Sequence, residues 1–303
     1  MHILISGGSG FIGTALTDSL LADGHQVVIL TRNPQKAIVK KGAKFIGWED
    51  LGDPNRGDLL SQVEAVVNLA GENIGAGPWT KKRKEQILSS RLVAGKLLTE
   101  AIRKASRRPK VFIQASAVGY YGLCPAEPVT ETSPAGSDYL AEVCKAWEAS
   151  TRSVEELGVR RAVIRTGVVL SKEEGALPRM LLPFRLFVGG PLGSGKQGFP
   201  WIHPADEVAA IRFLMENELA GGVVNLCSPK PLSNADFGRI IARVLERPYW
   251  LPTPAFALRL LLGEMSTLVL NGQFMIPARL QALGFRFRFE NAEAALEEVL
   301  NKA

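Results

Sequence analysis

The sequence predicts an α/β protein built on a doubly wound parallel sheet, with a smaller C-terminal α/β lobe. Short runs rich in Val, Ile and Leu recur without the alternation of a half-exposed strand: His2–Ser6, Gln26–Thr31, Lys44–Trp48, Ala65–Leu69, Lys110–Ala115 and Arg161–Arg165. Longer stretches with helical spacing lie between them: Phe11–Ala22, Thr80–Lys104 and Tyr139–Leu157. Strands that alternate with helices form right-handed βαβ units, which build a parallel sheet with helices on both faces.

The pattern of residue types along the chain changes after about residue 170, which predicts a domain boundary there. Gly175–Gly198 is rich in Gly, Pro, Leu and Phe and predicts a long loop. The remaining elements are helices apart from one strand, Gly222–Cys227: Ala205–Glu216, Asn234–Leu245, Phe256–Leu270 and Asn291–Leu300. We expect residues 1–170 to form the sheet domain. Residues 171–303 should form a lobe that covers the carboxyl ends of the strands and interleaves with the sheet.

Composition excludes several classes of protein. Hydrophobic residues make up 46% of the 303 residues and charged residues 22%, which excludes a disordered, collagen-like or coiled-coil chain. The net charge of +6 fits an enzyme that meets phosphorylated small molecules and does not by itself indicate a nucleic-acid partner. Cys124, Cys144 and Cys227 form no CxxC pair, so we expect reduced thiols, no disulfide framework and no metal site.

Hydrophobic runs are too short for a membrane span. None approaches the roughly 18 uninterrupted apolar residues that a spanning helix needs, and even Pro254–Leu270 carries Arg259 and Glu264. We therefore expect a soluble, cytoplasmic protein with no membrane partner.

A glycine motif, GGSGFIG at residues 7–13, follows the first predicted strand and opens the first predicted helix. Gly7 permits a tight turn, Gly10 lets backbone amides approach a pyrophosphate, and Gly13 allows close packing of helix and strand. The strand–loop–helix context predicts a Rossmann-type dinucleotide site in residues 1–170. The residues expected to bind the pyrophosphate are Gly7, Gly10, Phe11, Ile12 and Gly13.

The end of the second strand predicts which dinucleotide binds. A chain that binds NAD offers Asp or Glu there for the ribose hydroxyls, whereas this chain offers Thr31 and Arg32. An arginine can clamp the 2′-phosphate of NADP(H) and stack on its surroundings. We predict NADP(H) as the cofactor; the alternative is a solvated arginine at a strand end.

Over essentially its full length the chain resembles the extended and atypical short-chain dehydrogenase/reductase superfamily, and in particular its bacterial epimerase-family branch. The stretches that carry the resemblance are GGSGFIG, TRNP, VVNLAGENI, FIQASAVGYYG, LAEVCKAWE, VIRTGVVL and WIHPADEVA. The resemblance implies hydride exchange with a carbonyl or secondary alcohol of a phosphorylated or sugar-nucleotide-like small molecule. It also suggests a homodimer formed through the long helices.

The resemblance also implies site residues. Leu69, Ala70 and Gly71 would line the adenine and ribose side of the cofactor, and Glu72 would reach the ribose or a substrate unless it is only part of a strand-to-loop exit. Ser116 stands where the superfamily has a serine or threonine that polarises the substrate oxygen, although it is one residue out of register.

The Tyr-x-x-x-Lys pair of the superfamily is missing. Four residues after Tyr139 stands Val143, and Lys145 lies roughly 120° away around a regular helix. Alignment on Glu148 puts Leu140 and Cys144 at the two positions instead.

Tyr120 and Tyr121 are substitute proton donors; the alternative is that they pack a loop against the second lobe. The sequence thus favours an NADP(H)-dependent oxidoreductase or epimerase-like enzyme. The alternative is a non-catalytic NADP(H)-binding redox sensor, which the missing pair favours.

Overall fold

Parallel strands at the centre of the protein confirm the predicted fold class. The computed structural model describes residues 1–36, 42–52, 58–123 and 127–301. The strands of the described chain are β1 (His2–Ser6), β2 (Gln26–Thr31), β3 (Ala43–Gly47), β4 (Ala65–Asn68), β5 (Val111–Ala117), β6 (Arg160–Thr166), β7 (Val168–Val169), β8 (Gly198–Phe199), β9 (Trp201–Ile202), β10 (Gly222–Leu226) and β11 (Leu232–Ser233). The main sheet has seven strands in the order β3-β2-β1-β4-β5-β6-β10, and all neighbouring pairs are parallel.

Helices cover both faces of this sheet and build the C-terminal part. They are α1 (Phe11–Ala22), α2 (Lys81–Lys104), α3 (Tyr139–Ala149), α4 (Leu177–Arg185), α5 (Pro204–Glu216), α6 (Asn234–Val244), α7 (Ala255–Leu262), α8 (Thr267–Leu270), α9 (Ala278–Ala282) and α10 (Ala292–Asn301). The apolar core on one face of the sheet includes Leu16 of α1 and Ile211 of α5, and the core on the other face includes Leu98 and Ile102 of α2. The sheet is therefore shielded from water on both sides, as its continuous apolar strands require.

The chain after residue 170 contributes to two structures. Its strand β10 completes the main sheet beside β6, while β8 pairs with β11 and β7 with β9 in two small separate ladders. A further apolar cluster, built mainly from α4, α6 and α10, forms the core of the smaller lobe. The boundary near residue 170 stays a prediction, and the two parts are interleaved through β10.

Caps fix the starts of the two helices that border the site. The side chain of Thr80 accepts a hydrogen bond from the amide of Arg83 at the start of α2. The side chain of Asp138 accepts one from the amide of Ala141 at the start of α3. Both caps follow directly from the sequence, and they set where α2 and α3 meet the carboxyl edge of the sheet.

Apart from shifts of one residue and the short helix α9, which was not predicted, three helical regions differ from the prediction. Helix α3 ends at Ala149 and not at residue 157, because the chain turns into a separate 3-10 turn at Arg152–Val154. Gly263, with a φ of 56°, splits the predicted helix over 256–270 into α7 and α8. Helix α4 lies inside the predicted loop over 175–198.

Among the helices of the described residues, none is both long and apolar enough to cross a membrane. Of the three cysteines, Cys124 lies outside the described residues, and Cys144 and Cys227 are buried free thiols.

Candidate functional site

Buried polar side chains join the carboxyl ends of the central strands. Ser6 of β1, Asn68 of β4 and Gln114 of β5 are fully buried and in register. Ser6 Oγ donates to Asn68 Oδ1 at 2.6 Å, and Asn68 Nδ2 donates to Gln114 Oε1 at 3.0 Å. This row fixes the edge of the sheet where the strand order reverses between β1 and β4. Ligands of doubly wound sheets bind in the crevice at that point.

The glycine loop turns tightly over this crevice. Gly7 has a φ of 75°, and a Cβ there would lie 2.8 Å from the carbonyl carbon of Leu69. A Cβ at Gly13 would lie 2.2 Å from the carbonyl oxygen of Gly7, so only glycine lets α1 approach the loop this closely. Gly10 precedes α1, whose first turn has no side-chain cap and no acidic residue. The positive end of the helix therefore faces the crevice, and a pyrophosphate fits this cradle.

The chain leaving β4 forms the opposite wall. The amide of Leu69 donates to the carbonyl oxygen of Ser6 at 3.0 Å, and the amide of Ala70 donates to Asn68 Oδ1 at 3.4 Å. Both residues are half-buried beside the glycine loop. The resemblance assigns the backbone and the exposed part of Leu69 and Ala70 to the adenine and ribose side of the cofactor.

Arg32 is paired with Glu72. Its side chain is 81% exposed, and its Nη1 lies 2.9 Å from Glu72 Oε1. Arg83 of α2 holds the other carboxylate oxygen, with Nη1 3.2 Å from Oε2. Burial opposes ionisation of Glu72, but the hydrogen bonds from Arg32 and Arg83 outweigh it and lower the pKa of that carboxyl. Thr31, the last residue of β2, accepts a hydrogen bond from the amide of Asn33 and orders the turn that carries Arg32. The carboxylate thus orients an exposed guanidinium at the end of β2.

A third arginine, Arg91, contacts the backbone of the segment around Glu72. Arg91 Nη1 donates to the carbonyl oxygen of Glu72 at 3.1 Å, and the guanidinium lies 4.7 Å from the ring centroid of Trp147. A Cβ at Gly71 would lie 3.0 Å from Arg91 Cζ, so glycine lets the backbone rest on the guanidinium. Burial lowers the pKa of Arg91. These contacts give Arg91 a supporting position behind residues 71–72.

A buried ion pair holds Ser116. Its Oγ donates to Glu148 Oε1 at 2.6 Å. Arg165 binds both oxygens of the same carboxylate, with Nε 2.9 Å from Oε1 and Nη2 3.0 Å from Oε2. Such a bidentate pair is well oriented, and Arg165 is only 3% exposed. The hydroxyl proton of Ser116 therefore points at Glu148, and the lone pairs of its oxygen are the part left for a ligand.

The two adjacent tyrosines have different surroundings. Tyr121 is buried, and its hydroxyl donates to Asn225 Oδ1 at 2.6 Å and accepts from Arg165 Nη1 at 3.2 Å. Burial raises the pKa of Tyr121 to about 12, although Arg165 opposes this. Tyr120 is half-buried, with Arg165 Cζ 3.2 Å from its ring centroid. Tyr120 is therefore the more accessible of the two phenols.

The two positions that align with the missing Tyr-x-x-x-Lys pair lie beside Ser116, but their side chains lack the chemistry of that pair. A Cβ at Gly119 would lie 3.1 Å from Leu140 Cβ and 3.8 Å from Cys144 Sγ, so these two residues face the end of β5. Burial raises the pKa of Cys144 to about 11. Tyr139 instead donates to the carbonyl oxygen of Lys84, and Lys145 pairs with Glu142 at the surface. The location of Leu140 and Cys144 agrees with the alignment on Glu148, which puts neither a tyrosine nor a lysine at these two positions.

His203 and Asp206 act structurally. His203 Nδ1 accepts from the amide of Ala205 at the start of α5, and the His203 ring stacks on Phe289 with centroids 3.8 Å apart. The carboxylate of Asp206 accepts hydrogen bonds from the amides of Arg288 and Phe289. The two residues therefore anchor the C-terminal tail to α5.

A carboxyl that the sequence did not single out lies under the first turn of α1. Glu207 is fully buried and its Oε1 accepts a hydrogen bond from Thr166 Oγ1 at 2.9 Å, while its Oε2 has no hydrogen-bond partner among the described residues. Phe11, Ile12 and Val208 line the small space beside it. Burial raises the pKa of Glu207 to about 8.

Comparison with known proteins settles the family. The sequence profile of the NAD-dependent epimerase/dehydratase family matches residues 3–227. The chain belongs to this family. A domain of unknown function, DUF1731, matches residues 253–299. Membership confirms the resemblance that the sequence motifs carry, and it covers the glycine loop, the Ser116 region and α5 together.

Relatives of this epimerase/dehydratase chain span its whole length. The epimerase family protein YfhF of Bacillus subtilis is 40% identical over 301 residues, which cover 99% of this chain and 98% of the relative. A crystal structure of the human epimerase family protein SDR39U1 (isoform 2) with NADPH has a TM-score of 0.89 and 36% identity, and covers 100% of both chains. A nucleoside-diphosphate sugar epimerase from Corynebacterium glutamicum has a TM-score of 0.77 and 34% identity, and covers 99% of this chain and 58% of the other.

Sequence reasoning missed several residues of this family member's site. Glu148 served only as an alignment marker, although a carboxylate next to the apolar Trp147 on an amphipathic helix was a signal of a buried partner. Arg83 stands in a run of four basic residues, which is typical of a solvated helix start, but it is mostly buried against Glu72. No signal pointed to Asn225. Within the described ranges, no group of three or more His, Cys, Asp or Glu residues is placed to hold a metal ion.

Proposed function

We propose that the chain is an NADP(H)-dependent oxidoreductase or epimerase-like enzyme that exchanges a hydride with a carbonyl or secondary alcohol. The observation that carries this is the cradle at the crevice: the uncapped start of α1 follows β1, and the exposed guanidinium of Arg32 follows the neighbouring strand β2. A helix N-terminus suits the pyrophosphate and an arginine at the end of β2 suits a 2′-phosphate. The human relative crystallised with NADPH agrees with the cofactor predicted from the sequence.

The residues proposed to hold the cofactor come from three segments. The glycine loop and first turn of α1 would bind the pyrophosphate, through Gly7, Gly10, Phe11, Ile12 and Gly13. Thr31 and Arg32 would form the 2′-phosphate side. Leu69, Ala70, Gly71 and Glu72 would line the adenosine, with Glu72 orienting Arg32. When bound, the nicotinamide supplies the hydride chemistry.

Ser116 and Tyr120 are the groups proposed to act on the substrate. Tyr120 is half-buried with its ring against the Arg165 guanidinium, and its phenol would give or take a proton at a substrate oxygen. Ser116 donates its own proton to Glu148, so its oxygen would accept a hydrogen bond from a substrate hydroxyl. Tyr121 is proposed as the residue that fixes Arg165 beneath Tyr120, because its hydroxyl is already bound on both sides.

The substrate class is proposed from the crevice and the relatives. A sugar-nucleotide-like or phosphorylated molecule suits the net positive charge of the chain. One relative with 34% identity is named a nucleoside-diphosphate sugar epimerase, which supports the same class.

A redox sensor without catalysis is the second candidate. The observation that favours it is the pair Leu140 and Cys144 at the positions where the superfamily has its acid and lysine. Such a protein would bind NADP(H) at the same cradle and would transfer no hydride to a substrate.

Transfer of deuterium separates the two candidates. We expect label from NADPH that carries deuterium at C4 to appear in a metabolite of a cell extract incubated with the protein. Loss of the general acid in Tyr120→Phe is expected to slow transfer by a factor of about 10² to 10⁴. The readout is mass spectrometry of the extract.

Matched variants make this result specific. Tyr249→Phe, in the smaller lobe, is expected to transfer label at the normal rate, and Tyr121→Phe is expected to act mainly through stability. Binding of NADPH without any transfer would favour the sensor. Equal losses in Tyr120→Phe and Tyr249→Phe would contradict the role of Tyr120.

A further inference from the structure

Large apolar side chains are exposed on one part of the C-terminal lobe. Of the thirteen large hydrophobic residues exposed in the described chain, nine belong to residues 182–188 and 250–261. We call these two segments the apolar surface. The seven that expose more than half of their surface are Leu182, Leu186, Phe187, Trp250, Phe256, Leu260 and Leu261. Monomeric soluble proteins rarely expose large apolar groups so densely, and such a patch marks an interaction site.

Direct contacts join the two segments. Trp250 Nε1 donates to the carbonyl oxygen of Phe187 at 2.9 Å. The amides of Trp250 and Leu251 both donate to the carbonyl oxygen of Gly189. The guanidinium of Arg247 lies 4.6 Å from the ring centroid of Phe187. The end of α4 and residues 250–251 therefore form one continuous surface, and α7 begins four residues later in the chain.

Two residues with a strained backbone conformation border the apolar surface. In the described ranges, the non-glycine residues with positive φ are Phe187, at 62°, and Glu246, at 53°, and both border the apolar surface. A bulky residue in the left-handed region is strained and persists where function or packing requires it. Here the strained conformation leaves the Phe187 ring largely exposed.

Positive charge predominates around the apolar surface, although the exposed Glu246 also borders it. Arg185, Arg247 and Arg259 are exposed within or beside it. The sequence contains no Asp or Glu between residues 175 and 205, and none between residues 247 and 263. Two copies of the chain that met face to face through this surface would bring like charges together. An anionic surface would be complementary to it.

We propose that the apolar surface docks the protein on an anionic phospholipid bilayer. Aromatic and leucine side chains with flanking arginines are what an interfacial membrane contact requires, and α7 would lie in the plane of the interface. The sequence predicted no membrane partner because it has no apolar run long enough to span a bilayer. A helix that lies on the surface needs no such length.

Vesicle sedimentation tests this proposal. The wild-type protein is expected to sediment with phosphatidylcholine vesicles that contain phosphatidylglycerol, and far less with pure phosphatidylcholine vesicles. Leu260→Glu with Leu261→Glu is expected to lower this binding at least tenfold, because charges replace the apolar contact. Arg247→Gln and Arg259→Gln, which keep the apolar side chains, are each expected to lower it about fivefold.

The chain offers a matched control. Leu219, away from the apolar surface, is 83% exposed against 87% for Leu260, so Leu219→Glu is expected to bind vesicles like the wild type. Unchanged thermal unfolding in each variant shows that the fold is intact. Absence of sedimentation with the anionic vesicles, or equal binding by the Leu260→Glu/Leu261→Glu and Leu219→Glu proteins, overturns the proposal. So does a wild-type dimer that the double variant converts to a monomer, because the surface would then join two copies.

Discussion

Glu148→Gln is expected to lower the free energy of unfolding by about 3 to 5 kcal/mol, because it leaves a buried guanidinium without its carboxylate. Arg165 is 3% exposed and donates hydrogen bonds to both oxygens of Glu148. The carboxylate also accepts a hydrogen bond from Ser116 Oγ. The change therefore removes the charge that holds three parts of the site together. Urea unfolding followed by circular dichroism measures the loss.

The same helix supplies the control for this prediction. Glu142 pairs with Lys145 at the surface, so Glu142→Gln is expected to cost less than about 0.5 kcal/mol. The double variant Glu148→Gln/Arg165→Met is expected to lose less stability than the sum of its two single variants, because the second change removes the unpaired charge. Equal costs for Glu148→Gln and Glu142→Gln would show that the buried pair does not organise the site.

Glu207 is expected to make the stability of the protein fall as the pH rises. Burial raises the pKa of Glu207 to about 8, and the ordinary value is 4.5. Between these two values the native state keeps a proton that the unfolded state has released, so the free energy of unfolding decreases with increasing pH. This contribution to the free energy of unfolding is about 5 kcal/mol; it is fully present below pH 4.5 and is lost as the pH rises to about 8. Glu207→Gln, which cannot ionise, is expected to lack this dependence.

The readout is the difference between two unfolding curves measured across that range. The stability of the wild type relative to Glu207→Gln should fall steadily from pH 4.5 to pH 8 and then level off. Glu216→Gln, exposed on the same helix, controls for removal of a carboxylate and should keep the wild-type pH dependence. Parallel curves for wild type and Glu207→Gln would contradict the account of this buried carboxyl.

Much of the fold could be predicted because it depends on local pattern. The bounds of β1, β2 and α1 agree with the predicted ones, since each is a buried apolar run or an amphipathic stretch beside the glycine loop. Helix α4 was missed because Pro178 and Pro183 suggested a loop. Pro178 lies in the first turn, where a missing amide is tolerated. Phenylalanine and arginine alternate in the tail at Phe285–Phe289, and this local pattern matches its half-buried phenylalanines and exposed arginines.

The polar partners in the site could not be predicted in the same way. Arg32 meets Glu72 across 40 residues of sequence, Ser116 meets Glu148 across 32, and Tyr121 meets Asn225 across 104. Such pairs depend on how strands and helices pack, which a single sequence does not encode as a pattern. The glycine loop was predictable because its chemistry lies within one short segment.

Titration of the purified protein with NADPH and with NADH, repeated on Arg32→Ala, tests the central claim most directly. Loss of a charge-assisted phosphate contact is worth about 1.5 to 3 kcal/mol, or roughly ten- to a hundredfold in affinity. We expect NADPH to bind more tightly than NADH by about that factor, and Arg32→Ala to remove the difference while leaving NADH binding nearly unchanged. Equal binding of the two cofactors by the wild type would contradict the assignment of Arg32, and binding of neither would contradict the proposed function.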